Sequence, residues 1–198
     1  MHRLLVATGN PGKMAELRGL LADLQVELCA PGDLGIALDV VEDGATYVAN
    51  AVKKADAFAA ASGIASLADD TGLEVEALGG APGLFSKRYL PSEDANDADR
   101  RAFLLRNLSG KPRPWSARFR AAVAISVPSG ETHSSEGECT GEIIPEERGL
   151  GGFGYDQVFL VAGTGLTMAE LDLATKNRLS HRGRAVQHAL PFLRDLFR

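Results

Sequence analysis

The sequence predicts an α/β fold in which a mixed central sheet is flanked by helices. Short apolar strands alternate with amphipathic helices over the first 108 residues. Two longer strands then follow each other as a hairpin between residues 117 and 144, and a helix from about Ser180 closes the chain. This order of elements is typical of a mixed sheet covered by helices.

The N-terminal segment carries the signals of a strand followed by a helix. Residues 3–8 are short, apolar and followed by Gly9, as expected for a buried strand. Asn10 is a favoured N-cap, and Pro11 suits the first helical position because its missing N–H costs nothing there. We therefore expect a helix from residue 11 to about Leu24.

The remaining elements follow from apolar periodicity and from glycine and proline breaks. In chain order, they are a strand at 26–30, a loop at 31–45, a helix at 46–62, a strand at 65–68, a helix at 95–108, strands at 117–126 and up to about residue 144, and a strand near 157–161. Pro191 lies inside the last helix, so a kink or break is expected there. The proline-rich segment at 110–116 is expected to act as a hinge within a single domain of residues 1–198.

The composition limits the classes of function. The chain has 198 residues and a net charge of −5, so it lacks the basic field expected of a nucleic-acid-binding protein. Cys29 and Cys139 form no metal-like or disulfide pattern, so both are expected to be reduced. The apolar run at residues 4–7 is too short for a signal peptide or a membrane span. We therefore expect a cytoplasmic protein without a membrane or nucleic-acid partner.

Two glycine motifs are misleading. Residues 149–154 match the spacing GxGxxG, but they precede a strand, whereas a dinucleotide-binding loop precedes a helix. Gly12-Lys13 resembles the end of a P-loop, yet Ala7 replaces the upstream glycine and Met14 replaces the serine or threonine. Neither segment predicts nucleotide binding of these kinds.

The start of the first helix is nevertheless a candidate anion site. Free N–H groups and the positive end of the helix dipole gather at such a position. Lys13 lies in the first turn, where a cation is unfavourable for the dipole, which indicates that it has a ligand. The equally weighted alternative is a solvated surface lysine.

Asp69 and Asp70 are adjacent carboxylates that follow an apolar strand. In α/β sheets, ligands bind at that edge. Adjacent carboxylates repel each other unless a cation or hydrogen bonds offset the charge. Mg²⁺ prefers carboxylate oxygens and keeps waters and substrate phosphates as its other ligands. The pair therefore predicts a magnesium centre, with a turn capped by an aspartate side chain as the alternative.

Residues 153–156 and the start of the last helix are candidates for contacts to a base. An aromatic ring such as Phe153 can stack on a base, and Asp156 can accept from a base N–H group. The alternative is a plain turn before a strand. His181 and Arg182 are donors in the first turn of the last helix, although a histidine alone is more often structural.

Taken together, these segments resemble the inosine triphosphate pyrophosphatase family, whose members hydrolyse non-standard purine nucleoside triphosphates. In chain order they are Thr8-Gly9-Asn10-Pro11-Gly12-Lys13, Ala68-Asp69-Asp70-Thr71-Gly72-Leu73-Glu74-Val75, Leu78-Gly79-Gly80-Ala81-Pro82-Gly83, Gly152-Phe153-Gly154-Tyr155-Asp156, and Lys176-Asn177 with Ser180-His181-Arg182. They occur in family order and span nearly the whole chain, which makes the combination specific.

The resemblance implies an elongated α/β fold with two lobes and an active-site cleft between them. It implies a magnesium-dependent homodimer that converts ITP, dITP or XTP to the nucleoside monophosphate and pyrophosphate. Such an activity cleanses the nucleotide pool and keeps deaminated purines out of DNA and RNA.

The resemblance also implies roles for residues of this chain. Asp70 is implied to be the general base or a metal ligand, with Glu42 as a second carboxylate on the metal. The implied phosphate ligands are Thr8, Gly9, Asn10, Pro11, Gly12, Lys13 and Lys176. The implied purine ligands are Phe153, Gly154, Tyr155, Asp156, His181 and Arg182, and Thr71 is implied to contact the substrate.

The chain departs from the family pattern at two positions. Thr71 replaces the usual serine and keeps a hydroxyl group. Ala49 replaces a glutamate at capping-box spacing from Thr46, which predicts a small loss of stability and no loss of a catalytic group.

Two rival functions are left open. They are a pyrophosphatase for another nucleotide, such as a modified pyrimidine, and a protein that binds nucleotides without hydrolysing them.

Overall fold

The structure is a computed structural model that describes residues 2–92, 94–128 and 130–198. Within them, seven strands and five α-helices follow each other. The strands are β1 (His2–Val6), β2 (Val26–Cys29), β3 (Ser66–Val75), β4 (Pro82–Gly83), β5 (Trp115–Ser126), β6 (Thr132–Ile143) and β7 (Phe159–Val161). The helices are α1 (Pro11–Leu20), α2 (Tyr47–Ser62), α3 (Asp97–Leu108), α4 (Leu173–Leu179) and α5 (His181–Leu196).

These strands belong to one mixed sheet. Six of them lie in the order β2-β1-β3-β5-β6-β7, and β4 pairs with β3 outside this path. Strand β1 is parallel to β2 and to β3. Strand β4 is antiparallel to β3, and β7 is antiparallel to β6. The predicted α/β class, a mixed sheet flanked by helices, is therefore confirmed.

The chain divides into two units, each with its own core. The first unit comprises Met1–Asp70, Ala121–Gly137 and His181–Arg198. Its core joins apolar side chains of β1, β3 and β5 to those of α1 and α5, for example Leu17 and Val186. Lys13, Asp70 and Arg182 therefore lie on elements that pack on a common core.

The second unit comprises Thr71–Arg120 and Glu138–Ser180. Its core joins α3 to residues of β3, β5, β6 and β7, and includes Leu104 and Phe159. Residues 110–116, predicted to be a hinge, lie inside this unit.

The first two helices begin at the capping residues that the sequence predicts. Asn10 Oδ1 accepts from the N–H groups of Gly12 and Lys13 at 2.8 and 3.2 Å, as expected of an N-cap. Thr46 Oγ1 accepts from Ala49 N–H at 3.0 Å. The second cap therefore forms without the glutamate that is usual in the family.

Strand β3 is longer than predicted. It continues to Val75 because Leu73 and Val75 are fully buried, so the chain stays extended at residues 69–72, where a capped turn was the alternative. Asp69 and Asp70 therefore lie inside a strand, and the expectation that they stand at its end is wrong.

The C-terminal helices also differ from the prediction. Helix α4 was not predicted; Asp172 caps it by accepting from Thr175 N–H at 2.7 Å. Helix α5 continues through Pro191, so the expected break is wrong. Ala189 and Leu193, on either side of the proline, are fully buried in the first unit's core and keep the helix in place. Among the described helices, none has the length and apolar character needed to cross a membrane.

Candidate active site

In the first unit, helix α1 brings Lys13 to Asp69 of strand β3. Lys13 Nζ lies 3.0 Å from Asp69 Oδ2, and 17% of the Lys13 side chain is exposed. Burial lowers the pKa of Lys13, and the charges of Arg182 and Lys54 add to this effect while Asp69 opposes it. Lys13 is therefore a partly desolvated cation with a carboxylate partner, and the alternative of a solvated surface lysine is wrong.

The first turn of α1 is capped from within. Thr8 Oγ1 accepts from Asn10 N–H at 3.1 Å, and Asn10 Oδ1 accepts from the N–H groups of Gly12 and Lys13. The expectation of free N–H groups at this helix start is therefore wrong for Gly12 and Lys13. An anion would meet the Lys13 ammonium group and the positive end of the helix dipole.

Asp69 is held between two cations. Arg182 Nε donates to the same Oδ2 atom at 2.9 Å, and both side chains are 1% exposed. Burial alone would raise the pKa of Asp69, but the charges of Lys13, Arg182 and Lys54 hold it well below its usual range. Asp69 is therefore ionised at neutral pH, and one of its oxygens is shared by two basic side chains.

Arg182 joins α5 to both α1 and β3. Besides its bond to Asp69, it donates from Nη1 to Glu16 Oε2. Burial lowers the pKa of Arg182, but Asp69 and Glu16 raise it well above its ordinary value. Two of its guanidinium nitrogens are thus bound to carboxylates within the first unit.

His181, the first residue of α5, is placed by a close backbone contact. A Cβ atom at Gly137 of β6 would lie 2.4 Å from both the His181 carbonyl oxygen and the Ala185 nitrogen, closer than real Cβ atoms approach. Ser135 Oγ donates to the Ala185 carbonyl oxygen at 2.8 Å. The helix therefore rests directly on the strand backbone, and this contact sets the position of His181.

Asp70 has different neighbours from Asp69. Asn50 Nδ2 donates to Asp70 Oδ2 at 2.9 Å, and Asn50 Oδ1 accepts from Gly44 N–H at 2.7 Å. Burial raises the pKa of Asp70, and the negative charge of Glu42 adds to this, whereas the Asn50 bond and nearby lysines oppose it. Asp70 is therefore the member of the pair whose negative charge is less fully compensated.

Glu42 lies in the loop before α2 and pairs with Lys54 of that helix. Lys54 Nζ lies 2.7 Å from Glu42 Oε1, with 13% of the lysine and 36% of the glutamate side chain exposed. The adjacent Asp43 pairs with Lys53 at 2.6 Å, and both of these side chains are solvent-exposed. The two neighbouring acids thus differ, because the charge of Glu42 acts on Asp70 and that of Asp43 is not among the causes of its pKa shift.

Asp70 and Glu42 form a donor set that fits Mg²⁺. Both are carboxylates, and the charge of Glu42 adds to the effect of burial in raising the pKa of Asp70. Mg²⁺ is usually held by one or two carboxylates together with water and substrate phosphates. Within the described ranges, no group of three or more His, Cys, Asp or Glu side chains is arranged to hold a metal. The residues therefore fit an ion that is shared with a phosphorylated ligand.

In the second unit, Lys176 links Phe153 to Asp156. Lys176 Nζ lies 2.6 Å from Asp156 Oδ2 and 4.9 Å from the centroid of the Phe153 ring. The same Asp156 oxygen accepts from Phe153 N–H at 3.0 Å. Lys176, implied by the resemblance to bind phosphate, therefore lies with the residues that are implied to bind the purine.

The loop before β7 is fixed by its neighbours. Gly152 has a φ of +72°, and a Cβ atom there would lie 2.2 Å from Asp156 Oδ2, so this position requires glycine. The Tyr155 hydroxyl donates to the Ser86 carbonyl oxygen at 2.8 Å. Burial raises the pKa of Tyr155, so the phenol stays protonated and keeps this bond.

The predicted site residues fall into two groups by unit. The first unit contains Thr8, Gly9, Asn10, Pro11, Gly12, Lys13, Glu42, Asp70, His181 and Arg182. The second unit contains Thr71, Phe153, Gly154, Tyr155, Asp156 and Lys176.

Three further residues beside the carboxylate pair were not predicted. They are Glu16, Asn50 and Lys54. Glu16 follows Lys13 by three positions, and Lys54 follows Asn50 by four, so each pair shares one helix face. Helical spacing from Lys13 could have indicated Glu16. Asn50 and Lys54 gave only a weak signal, as polar residues on an alanine-rich helix.

The sequence matches a known family over most of its length. A sequence model of the Ham1 family matches residues 4–192. A dITP/XTP pyrophosphatase of Desulforamulus reducens is 44% identical over 196 residues, which cover 98% of this chain and 97% of that protein. A dITP/XTP pyrophosphatase of Geobacter sulfurreducens is 45% identical over 187 residues, which cover 94% of each protein.

Solved structures agree with the sequence matches. A HAM1 protein from Coxiella burnetii superimposes with a TM-score of 0.87 at 37% identity, covering 98% of this chain and 100% of that one. A nucleoside-triphosphatase, dITP/XTP pyrophosphatase, from Mycobacterium abscessus gives a TM-score of 0.74 at 40% identity, covering 96% and 99%. Since sequence and fold both match over nearly the whole chain, the protein belongs to the Ham1 family.

Proposed function

We propose that the protein is a magnesium-dependent hydrolase that converts non-standard purine nucleoside triphosphates to the nucleoside monophosphate and pyrophosphate. The main support is the unequal surroundings of two adjacent carboxylates. Asp69 is held by Lys13 and Arg182, whereas Asp70 lies beside Glu42 with its charge less compensated. The names of relatives, dITP/XTP pyrophosphatases, support the same substrate class.

Asp70 is the proposed catalytic residue. Its carboxylate orients the attacking water and accepts its proton as the water oxygen bonds to the α-phosphorus and the bond to the pyrophosphate oxygen breaks. Asp69 Oδ2 already contacts two basic side chains, Lys13 and Arg182, which favours Asp70 over Asp69 for this step. When bound by Asp70 and Glu42, Mg²⁺ would screen the charge of the phosphates.

Lys13 and Lys54 are proposed to offset the charge of the triphosphate. Each is a mostly buried lysine whose partner is a carboxylate, Asp69 at 3.0 Å and Glu42 at 2.7 Å respectively. Positioning and electrostatic stabilisation account for most of the catalysis in phosphoryl transfer. The resemblance adds Thr8 and the glycine-containing turn before α1 as further phosphate contacts.

Phe153 and His181 are proposed to recognise the purine. Phe153 offers a ring for stacking. Hypoxanthine and xanthine carry a 6-oxo group that accepts from a donor such as His181, whereas adenine would place its amino group against that donor. A polar pocket strongly rejects a base that leaves its groups unpaired. Guanine shares the 6-oxo group, so its exclusion would depend on the 2-amino group.

The contacts of two predicted ligands favour other roles. Arg182 binds Asp69 and Glu16 through two guanidinium nitrogens, so we propose that it supports Asp69. Lys176 contacts Asp156 and the Phe153 ring, so we propose that it holds the purine loop. Both assignments replace the direct substrate contacts that the resemblance implies.

A substrate panel tests the proposal. Pyrophosphate release is measured from ITP, dITP, XTP, GTP, ATP and modified pyrimidine triphosphates, with and without Mg²⁺. We expect release from ITP, dITP and XTP only when Mg²⁺ is present. Equal rates on ATP and ITP would refute the base specificity, and a preference for a pyrimidine would favour the rival pyrophosphatase. Binding of ITP without release of pyrophosphate would favour a non-hydrolysing nucleotide-binding protein.

We further propose, from the resemblance, that the protein is a cytoplasmic homodimer. Sedimentation equilibrium over a range of protein concentrations tests the assembly. A mass that stays at 20.9 kDa would refute it.

A further inference from the structure

Helix α3 holds one loop residue, Gly154, by both of its backbone groups. Asp97 Oδ2 accepts from Gly154 N–H at 2.7 Å. Arg101 Nη1 donates to the Gly154 carbonyl oxygen at 2.9 Å. Asp97 and Arg101 are four residues apart, so they lie on the same helix face, one turn from each other. A single helix face thus satisfies the donor and the acceptor of the same residue.

The two side chains of this clamp, Asp97 and Arg101, are themselves restrained. Asp97 Oδ1 accepts from Arg100 Nη1 at 2.8 Å, and Arg101 Nη2 donates to Glu147 Oε2 at 2.9 Å. Arg101 is 8% exposed, so water has little access to its bonds. Hydrogen bonds with one ionised partner are stronger than those between neutral groups. The clamp therefore restrains Gly154 more firmly than neutral loop contacts would.

Gly154 occupies the centre of the proposed purine loop. It has a φ of +62°, in the left-handed region, and lies between Phe153 and Tyr155. Tyr155 is tied to Ser86, and the Phe153 N–H group donates to Asp156. The Phe153–Gly154 and Gly154–Tyr155 peptide groups determine where the Phe153 ring is directed. Helix α3 binds the N–H of the first peptide group and the carbonyl oxygen of the second.

We propose that Asp97 and Arg101 are positioning residues for purine recognition, which fix the Phe153 ring by clamping Gly154. The inference rests on the proposed function, because it assigns the loop at Phe153 to the base. A loop already held in its binding conformation loses less entropy when the ligand binds. Loss of the clamp therefore weakens binding of the base and leaves the phosphate contacts and the hydrolytic step intact.

Variants of the clamp test this inference in the full-length protein. Arg101→Met removes both guanidinium bonds at similar length, Arg101→Lys keeps the charge, and Asp97→Asn weakens the bond to Gly154 N–H. Arg106→Met, an exposed arginine on the same helix, is the matched control. The readouts are kcat and KM for ITP, the affinity for inosine monophosphate by calorimetry, and the inhibition constant of pyrophosphate.

We expect Arg101→Met to raise KM for ITP and to weaken inosine monophosphate binding by about tenfold. The kcat value and the pyrophosphate inhibition constant should change by less than about twofold, as expected when only ground-state binding of the base is lost. Arg101→Lys and Asp97→Asn should give smaller effects of the same kind, and Arg106→Met should match the wild type.

Two results from the clamp variants would overturn the inference. The first is unchanged inosine monophosphate affinity in Arg101→Met. The second is an equal loss of kcat, nucleotide affinity and pyrophosphate inhibition, which would indicate a general structural defect. If Arg101→Met does not fold, the same criteria apply to Arg101→Lys and Asp97→Asn. If the wild-type protein binds inosine monophosphate but does not hydrolyse ITP, only the proposed function is refuted. If the wild-type protein does not bind inosine monophosphate, the proposed function and this inference are both refuted.

Discussion

Asn50 ties Asp70 to the loop that carries Glu42. Its Nδ2 atom donates to Asp70 Oδ2 at 2.9 Å, and its Oδ1 atom accepts from Gly44 N–H at 2.7 Å. An amide that is bound at both ends cannot rotate without losing a bond. The orientation of the proposed catalytic carboxylate is thus fixed by a helix residue that was not predicted as part of the site.

Replacement of Asn50 should therefore affect the chemical step. We expect Asn50→Ala to lower kcat for ITP by about tenfold or more, because Asp70 loses the bond that orients it. Asn107→Ala is the matched control, since Asn107 Nδ2 donates to Tyr89 Oη at 3.0 Å outside the proposed site. Steady-state kinetics of both variants would settle the role, and wild-type kcat in Asn50→Ala would contradict it.

Replacement of Asp70 should remove most of the activity without unfolding the protein. Asp70→Asn keeps the shape of the side chain but takes away its basicity, so we expect kcat to fall by about a hundredfold or more. Thermal unfolding and ITP binding should stay close to the wild type. Asp56→Asn, at an exposed aspartate of α2, is the control. Near-normal turnover in Asp70→Asn would exclude Asp70 as the catalytic base.

Glu42 and Asp43 should differ in their effect on magnesium dependence. We expect Glu42→Gln to raise the Mg²⁺ concentration for half-maximal activity by about tenfold or more, because one of two proposed carboxylate ligands is lost. Asp43→Asn removes an exposed pair with Lys53 and should leave that concentration unchanged. Magnesium titrations of both variants make the comparison, and a larger effect of Asp43→Asn would reassign the second ligand.

Removal of Arg182 should reduce stability strongly. Arg182→Met leaves Asp69 and Glu16 buried without a shared cation, so we expect a loss of about 3–5 kcal/mol in the free energy of unfolding. Arg194→Met changes an exposed arginine of the same helix and should have almost no effect. Urea unfolding measures both. A stable Arg182→Met variant with altered base selectivity would instead favour direct contact of Arg182 with the purine.

Local signals predicted most of the helices and strands because they depend on short stretches of sequence. Asn10 and Thr46 cap α1 and α2 through their own side chains, and apolar periodicity indicated the strands. The end of β3 and the continuity of α5 depend on burial in cores formed by distant segments. Such burial overrides a glycine in one case and Pro191 in the other, and no local pattern shows it.

The sequence predicted which residues belong to the candidate site, but it did not predict which of their side chains contact each other. Asp69 and Asp70 look alike in the sequence. Only the fold shows that Asp69 contacts Lys13 and Arg182 while Asp70 contacts Asn50, since adjacent strand residues face opposite sides of a sheet. Contacts between residues more than a hundred positions apart, such as Arg182 with Asp69, lie beyond any motif.

The close approach of Gly137 to α5 limits how sequences of this kind can diverge. A strand residue that is not part of a core usually tolerates replacement, but here any side chain would displace the helix that carries His181. A replacement at Gly137 is therefore expected to shift His181, a proposed base contact, although Gly137 is not itself proposed to contact the substrate. A search for specificity-altering mutations that samples only pocket-lining side chains would overlook this position.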